Sequence, residues 1–236
     1  ARLAQEGVVS TPGRLAPHSL VFEDRRNIHI LPSFREGLFE VQDEGSQLLA
    51  ELARPSPGAH IVDFCAGAGG KALALADAGA RVLALDVREG ALRIAERRMA
   101  RAGQSIRYQL MEEHGPPPVE AGWADTVLVD APCSSSGVLR RHPEMRWRLT
   151  PAWVQDRADL QRSILARAAP LVRPGARLVY GTCSLLRQEN QAVLADFLAQ
   201  HPSFEVQERL GDDGVLWPQR IGTDGFFGVA MVRRGA

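Results

Sequence analysis

From residue 59 onward, short apolar runs rich in β-branched residues alternate with amphipathic helical runs. This order is typical of an α/β protein with a mostly parallel sheet, because consecutive parallel strands need a crossover connection. Predicted strands are His60–Phe64, Arg81–Asp86, Ser105–Leu110, Asp125–Asp130 and Ala176–Gly181, and predicted helices are Gly70–Ala78, Glu89–Arg101, Pro151–Leu171 and Gln188–Gln200. Two more extended runs, Phe204–Leu210 and Phe227–Val232, predict an antiparallel edge. The sequence therefore predicts a doubly wound sheet of seven strands.

Residues 1–40 have a different pattern. Their proline and glycine content is high, helical periodicity is absent, and strand-like pieces such as Asn27–Leu31 occur. Helical periodicity resumes at Glu44–Leu52. We expect residues 1–40 to be a small appendage, the end of a preceding domain, and residues 41–236 to form the main domain.

Composition excludes several classes of protein. Hydrophobic residues make up 45% of the 236 residues and charged residues 24%, as in an ordinary globular domain and unlike a disordered chain. No apolar stretch approaches the ~18 residues of a membrane span, and the first twenty residues lack a signal core, so we expect a cytoplasmic protein. The 28 basic and 28 acidic residues balance, so nucleic-acid binding requires locally concentrated positive charge.

A glycine-rich turn follows the first strand of the main domain, in the run Cys65-Ala66-Gly67-Ala68-Gly69-Gly70-Lys71. Glycines let the backbone approach a ligand, and the following helix N-terminus offers free N–H groups. Asp86 ends the next strand, where an acid typically accepts hydrogen bonds from a ribose. The run also satisfies the G-x-G-x-x-A fingerprint of dinucleotide-binding proteins, so the turn indicates a nucleotide-like ligand without identifying it.

Two cysteines follow strand ends that should be neighbours. Cys133 comes after the fourth strand and Cys183 after the fifth, and in a sheet of order 3-2-1-4-5 these ends line one crevice beside the glycine-rich turn. Buried, inert thiols are the commonest alternative, which we favour for Cys65. Zinc is disfavoured because C-x-x-C spacing is missing, and no metal is expected. A disulfide is disfavoured in a reducing compartment, which leaves thiolate chemistry for the pair.

Five ordered motifs resemble those of RNA (cytosine-5) methyltransferases, specifically the Sun/Fmu-like bacterial 16S ribosomal RNA branch. They are Asp63-Phe64-Cys65-Ala66-Gly67-Ala68-Gly69-Gly70-Lys71, Asp130-Ala131-Pro132-Cys133-Ser134, Arg140-Arg141-His142-Pro143, Thr182-Cys183-Ser184 and Asp224-Gly225-Phe226-Phe227. Two positions depart from the family pattern. Ala68 stands where the family has proline, and Glu112 stands near the place of an aspartate that contacts the adenine.

The resemblance implies a Rossmann-like methyltransferase sheet, S-adenosylmethionine as cofactor and 5-methylcytosine as product. It implies that Cys183 adds to carbon 6 of cytosine, that Cys133 assists release, and that Asp130 and Lys71 contact the base. The implied cofactor-binding residues are Cys65, Ala66, Gly67, Ala68, Gly69, Gly70, Lys71, Asp86, Arg88, Glu112 and Asp130. The expected partner is ribosomal RNA with its target cytosine single-stranded or flipped out of the stack; no membrane is expected, and the expected state is a monomer.

A basic run follows the Cys133 turn and is the predicted RNA contact. Its members are Arg140, Arg141, Arg146, Trp147 and Arg148, with guanidinium groups for phosphates and an indole for base stacking. The alternative for this run is a solvated surface loop.

Other functions remain open from residues alone. A transfer RNA is the alternative substrate, and an NAD-dependent oxidoreductase would explain the glycine-rich turn but neither cysteine turn. A DNA cytosine methyltransferase would use the Pro132-Cys133 turn for its nucleophile, which leaves Cys183 unexplained. A non-catalytic RNA-binding protein would have no chemical need for both thiols.

Overall fold

The computed structural model describes residues 1–235. Its strands are β1 (Ser10–Pro12), β2 (Leu20–Phe22), β3 (His60–Asp63), β4 (Arg81–Asp86), β5 (Arg107–Leu110), β6 (Ala124–Asp130), β7 (Val172–Thr182), β8 (Phe204–Arg209), β9 (Val215–Leu216) and β10 (Phe226–Arg233). Its α-helices are α1 (Arg2–Gln5), α2 (Pro32–Arg35), α3 (Glu44–Glu51), α4 (Gly70–Asp77), α5 (Glu89–Ala102), α6 (Pro151–Ala168), α7 (Gln191–Gln200) and α8 (Pro218–Ile221).

The central sheet has the order β5-β4-β3-β6-β7-β10-β8, and the short β9 pairs with β10. The first five of these strands are parallel, and β10 is antiparallel to both β7 and β8. The predicted order 3-2-1-4-5 and the predicted antiparallel edge are therefore confirmed. The two-residue β9 is an eighth strand that the sequence pattern did not predict.

Both faces of the sheet are covered, as the near-continuous apolar character of the strands requires. Successive side chains of β7 point to opposite faces, so Leu178 and Tyr180 pack on one side with α6 and α7, whereas Val179 packs on the other with α3 and α4. Because β3, β4, β6 and β7 run parallel, their carboxyl ends lie along a single edge of the sheet, where ligands of doubly wound sheets bind.

Helix α6 begins as its sequence predicts. Thr150 accepts a hydrogen bond from the Trp153 backbone N–H, and Pro151 occupies the first turn. The predicted helix over residues 151–171 is too long, because residues 169–171 form a 3-10 turn. The helix predicted from Gln188 begins at Gln191 instead. The residues before it form a turn, in which the Glu189 N–H donates to the Leu186 carbonyl and the Asn190 N–H donates to the Arg187 carbonyl.

Residues 1–40 contain the hairpin of β1 and β2, the short helices α1 and α2, and a small apolar cluster around Phe34. The prediction of an extended piece at Asn27–Leu31 is wrong: Asn27 caps a 3-10 turn over Ile28–Ile30. Arg101 of α5 donates to the Phe34 carbonyl at 2.7 Å, so this segment packs on the main domain. A domain boundary near residue 40 stays a prediction.

None of the helices described within residues 1–235 is long and apolar enough to cross a membrane.

Candidate active site

A cleft of about 1650 Å³ opens at the carboxyl edge of the parallel strands. Its wall includes the glycine-rich turn, the ends of β4 and β6, both cysteine turns and the loop after β5. Carboxylates from these elements line it at Asp63, Asp86, Glu112 and Asp130. These carboxylates can accept hydrogen bonds from the hydroxyl and amino groups of a ligand.

The glycine-rich turn is fixed by hydrogen bonds to Asp86. Gly67 and Gly69 have φ angles of +54° and +79°, which glycine adopts without steric cost. The Gly67 N–H donates to Asp86 Oδ2 at 2.7 Å, and the Arg88 N–H donates to Asp86 Oδ1 at 2.8 Å. Burial alone would raise the pKa of Asp86, but the bonds from Arg88 and Gly67 outweigh it and lower the pKa. Asp86 is therefore a fixed, charged carboxylate beside the turn.

The two cysteine turns meet. Cys133 Sγ lies 3.3 Å from Cys183 Sγ, and both residues line the cleft. The meeting of the two thiols is the arrangement expected from the order of the strands. Cys183 Sγ is also 3.6 Å from Ser135 Oγ, a contact that the sequence pattern does not indicate. Both thiols are free.

Contact between the thiols separates their acidities. The hydrogen bond from Cys133 lowers the pKa of Cys183, and the ammonium of Lys71 lowers it further. The same hydrogen bond, together with burial, raises the pKa of Cys133 well above its ordinary value. Because the thiolate is the nucleophilic form, Cys183 is the more readily activated of the two.

Lys71 and Asp130 form an ion pair at the cleft wall. Lys71 Nζ lies 2.6 Å from Asp130 Oδ2, and the two side chains are 11% and 28% exposed. Burial lowers the pKa of Lys71, but Asp130 outweighs burial and raises it. Lys71 therefore carries a positive charge next to Cys183.

Two further groups lie near the glycine-rich turn. Asp63, which begins the first motif but has no role assigned from the sequence, is buried at the end of β3, and burial raises its pKa to about 7. Its signal was its position directly before the turn. The sequence favours a buried, inert thiol at Cys65; the residue is partly buried, packs against the core and also lines the cleft. Burial raises the pKa of its thiol well above the ordinary value, which favours an unreactive thiol.

The loop after β5 carries Glu112 to the cleft wall. Arg167 of α6 holds this loop by donating to the carbonyls of Glu112, Glu113 and Gly115 at 2.6–2.8 Å. The position of Glu112 is thus set by a residue more than fifty positions away, which no local pattern indicates.

Arg140 and Arg141 are tied to the protein. Both guanidinium groups form ion pairs with Asp224, whose side chain is fully buried, and Arg140 lies 3.2 Å from it. The positive charge that this loop can offer to RNA is therefore smaller than its sequence predicts, because the buried carboxylate of Asp224 compensates part of it. Asp224 belongs to the Asp224-Gly225-Phe226-Phe227 motif, and this contact shows how the motif meets the loop.

The rest of the loop is open. The guanidinium of Arg146 lies 4.4 Å from the centre of the Trp147 ring, and Trp147 is 76% exposed. Arg148 is also exposed, and no ion pair to Arg146 or Arg148 occurs within residues 1–235. An exposed indole beside two uncompensated guanidinium groups is typical of a surface that binds single-stranded nucleic acid.

The strand order, the glycine-rich turn and the acid at the end of the next strand define a Rossmann-like methyltransferase fold. The chain belongs to the 16S rRNA methyltransferase RsmB/F family, whose model matches residues 50–232. This membership separates it from dinucleotide-dependent oxidoreductases, for which the turn alone left room.

The relatives agree with this assignment. Ribosomal RNA small subunit methyltransferase B of Proteus mirabilis is 33% identical over 239 residues, which cover 96% of this chain and 54% of the relative. Among solved structures, PH0851 is 32% identical with a TM-score of 0.92, covering 98% of this chain and 55% of that one. NSun6 from Pyrococcus horikoshii, solved with SFG, is 25% identical with a TM-score of 0.80, covering 90% and 57%. The chain spans about half the length of the curated relatives it matches.

Proposed function

We propose that this protein transfers a methyl group from S-adenosylmethionine to carbon 5 of a cytosine in RNA, with 16S ribosomal RNA as the substrate. The observation that carries the proposal is the 3.3 Å contact between the Cys133 and Cys183 sulfur atoms in the wall of the cleft. Hydride transfer between a nicotinamide and a small substrate needs neither thiol, and family membership separates the chain from that class. Family membership and the basic, aromatic loop support RNA as the partner.

The cleft fits S-adenosylmethionine by the chemistry of its lining. Asp86 is assigned to the ribose hydroxyls, because an acid at the end of this strand typically accepts their hydrogen bonds, and the glycines of the turn give room for close approach. Glu112 is assigned to the adenine, and the carboxylates of Asp63 and Asp130 suit a cationic sulfonium and ammonium. When bound, this cofactor supplies an electrophilic methyl group.

Cys183 is assigned as the nucleophile. Carbon 5 of cytosine is a weak nucleophile until a thiolate adds to carbon 6, which shifts electron density to carbon 5. Asp130 is assigned to the polar edge of the base, where a hydrogen bond compensates the charge that builds up during addition. Lys71 keeps the thiolate form of Cys183 accessible and holds Asp130 in place.

Cys133 is assigned to product release. After methyl transfer, carbon 5 loses its proton to a base, and the electron pair of that C–H bond expels the Cys183 thiolate from carbon 6. A neighbouring thiol within hydrogen-bond distance stabilises the departing thiolate. The two cysteines thus have opposite tasks, one forming the covalent bond and the other helping to break it.

The target base must leave its stack to reach the thiol, because carbon 6 of a paired cytosine is covered by its neighbours. Trp147 is assigned to stacking on an unpaired base, and Arg146 and Arg148 to phosphates. Arg140 and Arg141 add positive charge next to the Cys133 turn while they remain bound to Asp224.

The test is methyl transfer from radiolabelled S-adenosylmethionine to 16S ribosomal RNA, followed by bisulfite mapping of the product. We expect the wild-type protein to leave one or a few cytosines protected from bisulfite deamination by their new methyl group, and Cys183→Ala to leave none. Transfer to transfer RNA alone would replace the ribosomal substrate, and transfer to DNA alone would contradict the RNA assignment. Bisulfite mapping of cellular RNA with and without the gene extends the test, and unchanged methylation at every cytosine would defeat the proposal.

A further inference from the structure

A buried carboxylate lies behind the two thiols. Glu189 has no exposed surface and lies at the entry to α7. It accepts hydrogen bonds from the Ser134 backbone N–H at 2.7 Å, from Ser184 Oγ at 2.6 Å and from Gln161 Nε2 at 3.1 Å, and it contacts Ser134 Oγ. No Lys, Arg or His forms an ion pair with it within residues 1–235. The chain therefore stabilises this carboxylate with neutral donors alone.

The serines that it binds are the immediate neighbours of the two cysteines. Ser134 follows Cys133 and Ser184 follows Cys183, so one side chain joins two turns that are 50 residues apart. The hydroxyls of these serines also lie 3.2 Å from each other. A carboxylate can accept several hydrogen bonds at once and donates none, which suits it to link two donor-bearing turns.

The residues before the cysteines are held by the same cluster. Gln161, which donates to Glu189, also donates to the Pro132 carbonyl at 2.9 Å. Asn190, next to Glu189, accepts from Thr182 Oγ1 at 2.6 Å and donates to the Ser184 carbonyl at 2.8 Å. Both flanking residues of each cysteine are therefore fixed from behind.

Glu189 does not reach the reacting atoms. It is absent from the cleft lining formed by residues 1–235, so it acts on substrate only through the cysteines. Its negative charge is one of the causes that raise the pKa of Cys133, after the hydrogen bond that Cys133 donates to Cys183, burial and the charge of Cys183. The Glu189 side chain therefore has two effects: it fixes the turns that carry the thiols, and its charge favours the protonated form of Cys133.

We propose that Glu189 is a positioning residue that holds the sulfur atoms of Cys133 and Cys183 in contact. Its catalytic meaning rests on the proposed function, but its geometric effect does not. Loss of the side chain removes the link between Ser134 and Ser184, and a misplacement of reacting groups by about 1 Å costs about 100-fold in rate.

The test measures the thiol contact without RNA or cofactor. Diamide takes two electrons and two protons from a pair of neighbouring thiols and leaves a disulfide, and mass spectrometry of the digested protein identifies a Cys133–Cys183 pair. We expect Glu189→Ala to form this disulfide about tenfold more slowly than wild type. The matched control is Gln188→Ala, which removes an exposed neighbouring side chain and should behave as wild type.

Glu189→Gln separates hydrogen bonding from charge. The amide keeps one oxygen for Ser134 and donates to the serine hydroxyls, so disulfide formation should stay close to the wild-type rate. The lost charge should move the pH profile of Cys133 alkylation to lower pH, which a purely structural role would not do. This variant also carries the test if Glu189→Ala fails to fold.

Methyl transfer supplies the second readout. We expect kcat of Glu189→Ala to fall about 100-fold while the cofactor Kd stays near the wild-type value. A folded Glu189→Ala with wild-type crosslinking and kcat would overturn the inference, as would an unmoved Cys133 profile in Glu189→Gln. Failure of the wild-type protein to methylate any RNA would count against the proposed function only, because crosslinking still decides whether Glu189 holds the thiols.

Discussion

Lys71 Nζ lies 2.6 Å from Asp130 Oδ2 and joins the first turn of α4 to the end of β6. The two charges act on Cys183 in opposite directions: Asp130 raises its pKa and Lys71 lowers it. The ion pair therefore does more than stabilise the cleft wall, since it also sets how easily the thiol ionises.

The first prediction concerns this ion pair. Lys71→Met removes the positive charge, so the midpoint of the pH profile for Cys183 alkylation should move to higher pH. Asp130→Asn removes the negative charge, and the midpoint should move to lower pH. Iodoacetamide labelling followed by peptide mass spectrometry gives both profiles. Lys71→Arg, which retains the charge, is the control, and shifts of the same sign in the Met and Asn variants would contradict this account.

The second prediction separates the two cysteines. Cys183→Ala removes the thiol assigned to carbon 6, so it should form no adduct and transfer no methyl group. Cys133→Ala should still add to the base and methylate it, then stall with RNA attached. A denaturing gel should show a shifted protein–RNA band for Cys133→Ala alone. An adduct in Cys183→Ala and none in Cys133→Ala would exchange the roles, and methylation without any adduct would exclude covalent catalysis.

The rates of alkylation of Cys65 and Cys183 can be compared directly. Because the pKa of Cys65 is raised and that of Cys183 is lowered, Cys183 should react faster at neutral pH. The iodoacetamide labelling of the first prediction supplies this comparison and needs no RNA.

The third prediction concerns cofactor binding. Asp86→Ala should weaken binding of S-adenosylmethionine by roughly 1.5–3 kcal/mol, the range for lost hydrogen bonds to a charged group. Isothermal calorimetry measures the change, and Asp77→Ala, at an exposed position at the end of α4, is the control. Thermal unfolding of both variants is needed because Asp86 also holds Gly67. An unchanged dissociation constant would remove Asp86 from the site.

The fourth prediction concerns RNA affinity. Replacing Arg146 and Arg148 with alanine should reduce the slope of log affinity against log salt by about 0.7 for each lost phosphate contact. Replacing Arg140 and Arg141 should also reduce the slope, and should in addition lower the unfolding temperature, because Asp224 is left buried without a partner. Slopes equal to that of wild type in both variants would make this loop a solvated surface.

The fifth prediction concerns Asp63 and pH. Burial raises its pKa to about 7 in the folded protein, so the folded state binds its proton more tightly than the unfolded state does. Its contribution to stability is therefore full below about pH 4 and is lost as pH rises to 7. Between pH 5 and 8 the cofactor-free wild type should lose roughly 3 kcal/mol more than Asp63→Asn does. Urea unfolding at the two pH values measures this, and equal losses would contradict it.

Local sequence signals were sufficient for much of the fold. The alternation of strands and helices, the cap at Thr150 and the glycines with positive φ are near-neighbour properties, so a linear pattern indicates them. The strand order then placed Cys133 and Cys183 at one crevice, because carboxyl ends of neighbouring parallel strands meet. Local sequence signals did not predict the elements of residues 1–40, because these short elements are held mainly by packing around Phe34 and by the hydrogen bond from Arg101.

The sequence by itself determined the class of sheet, the glycine-rich turn and the identity of the two thiols. Tertiary structure decided the 3.3 Å contact that makes those thiols unequal, the pairing of Arg140 and Arg141 with Asp224, and the burial of Glu189 behind both turns. These properties depend on side chains far apart in the chain, whose energies are set by burial and distance. Residue type and spacing carry neither quantity, so only the folded chain supplies them.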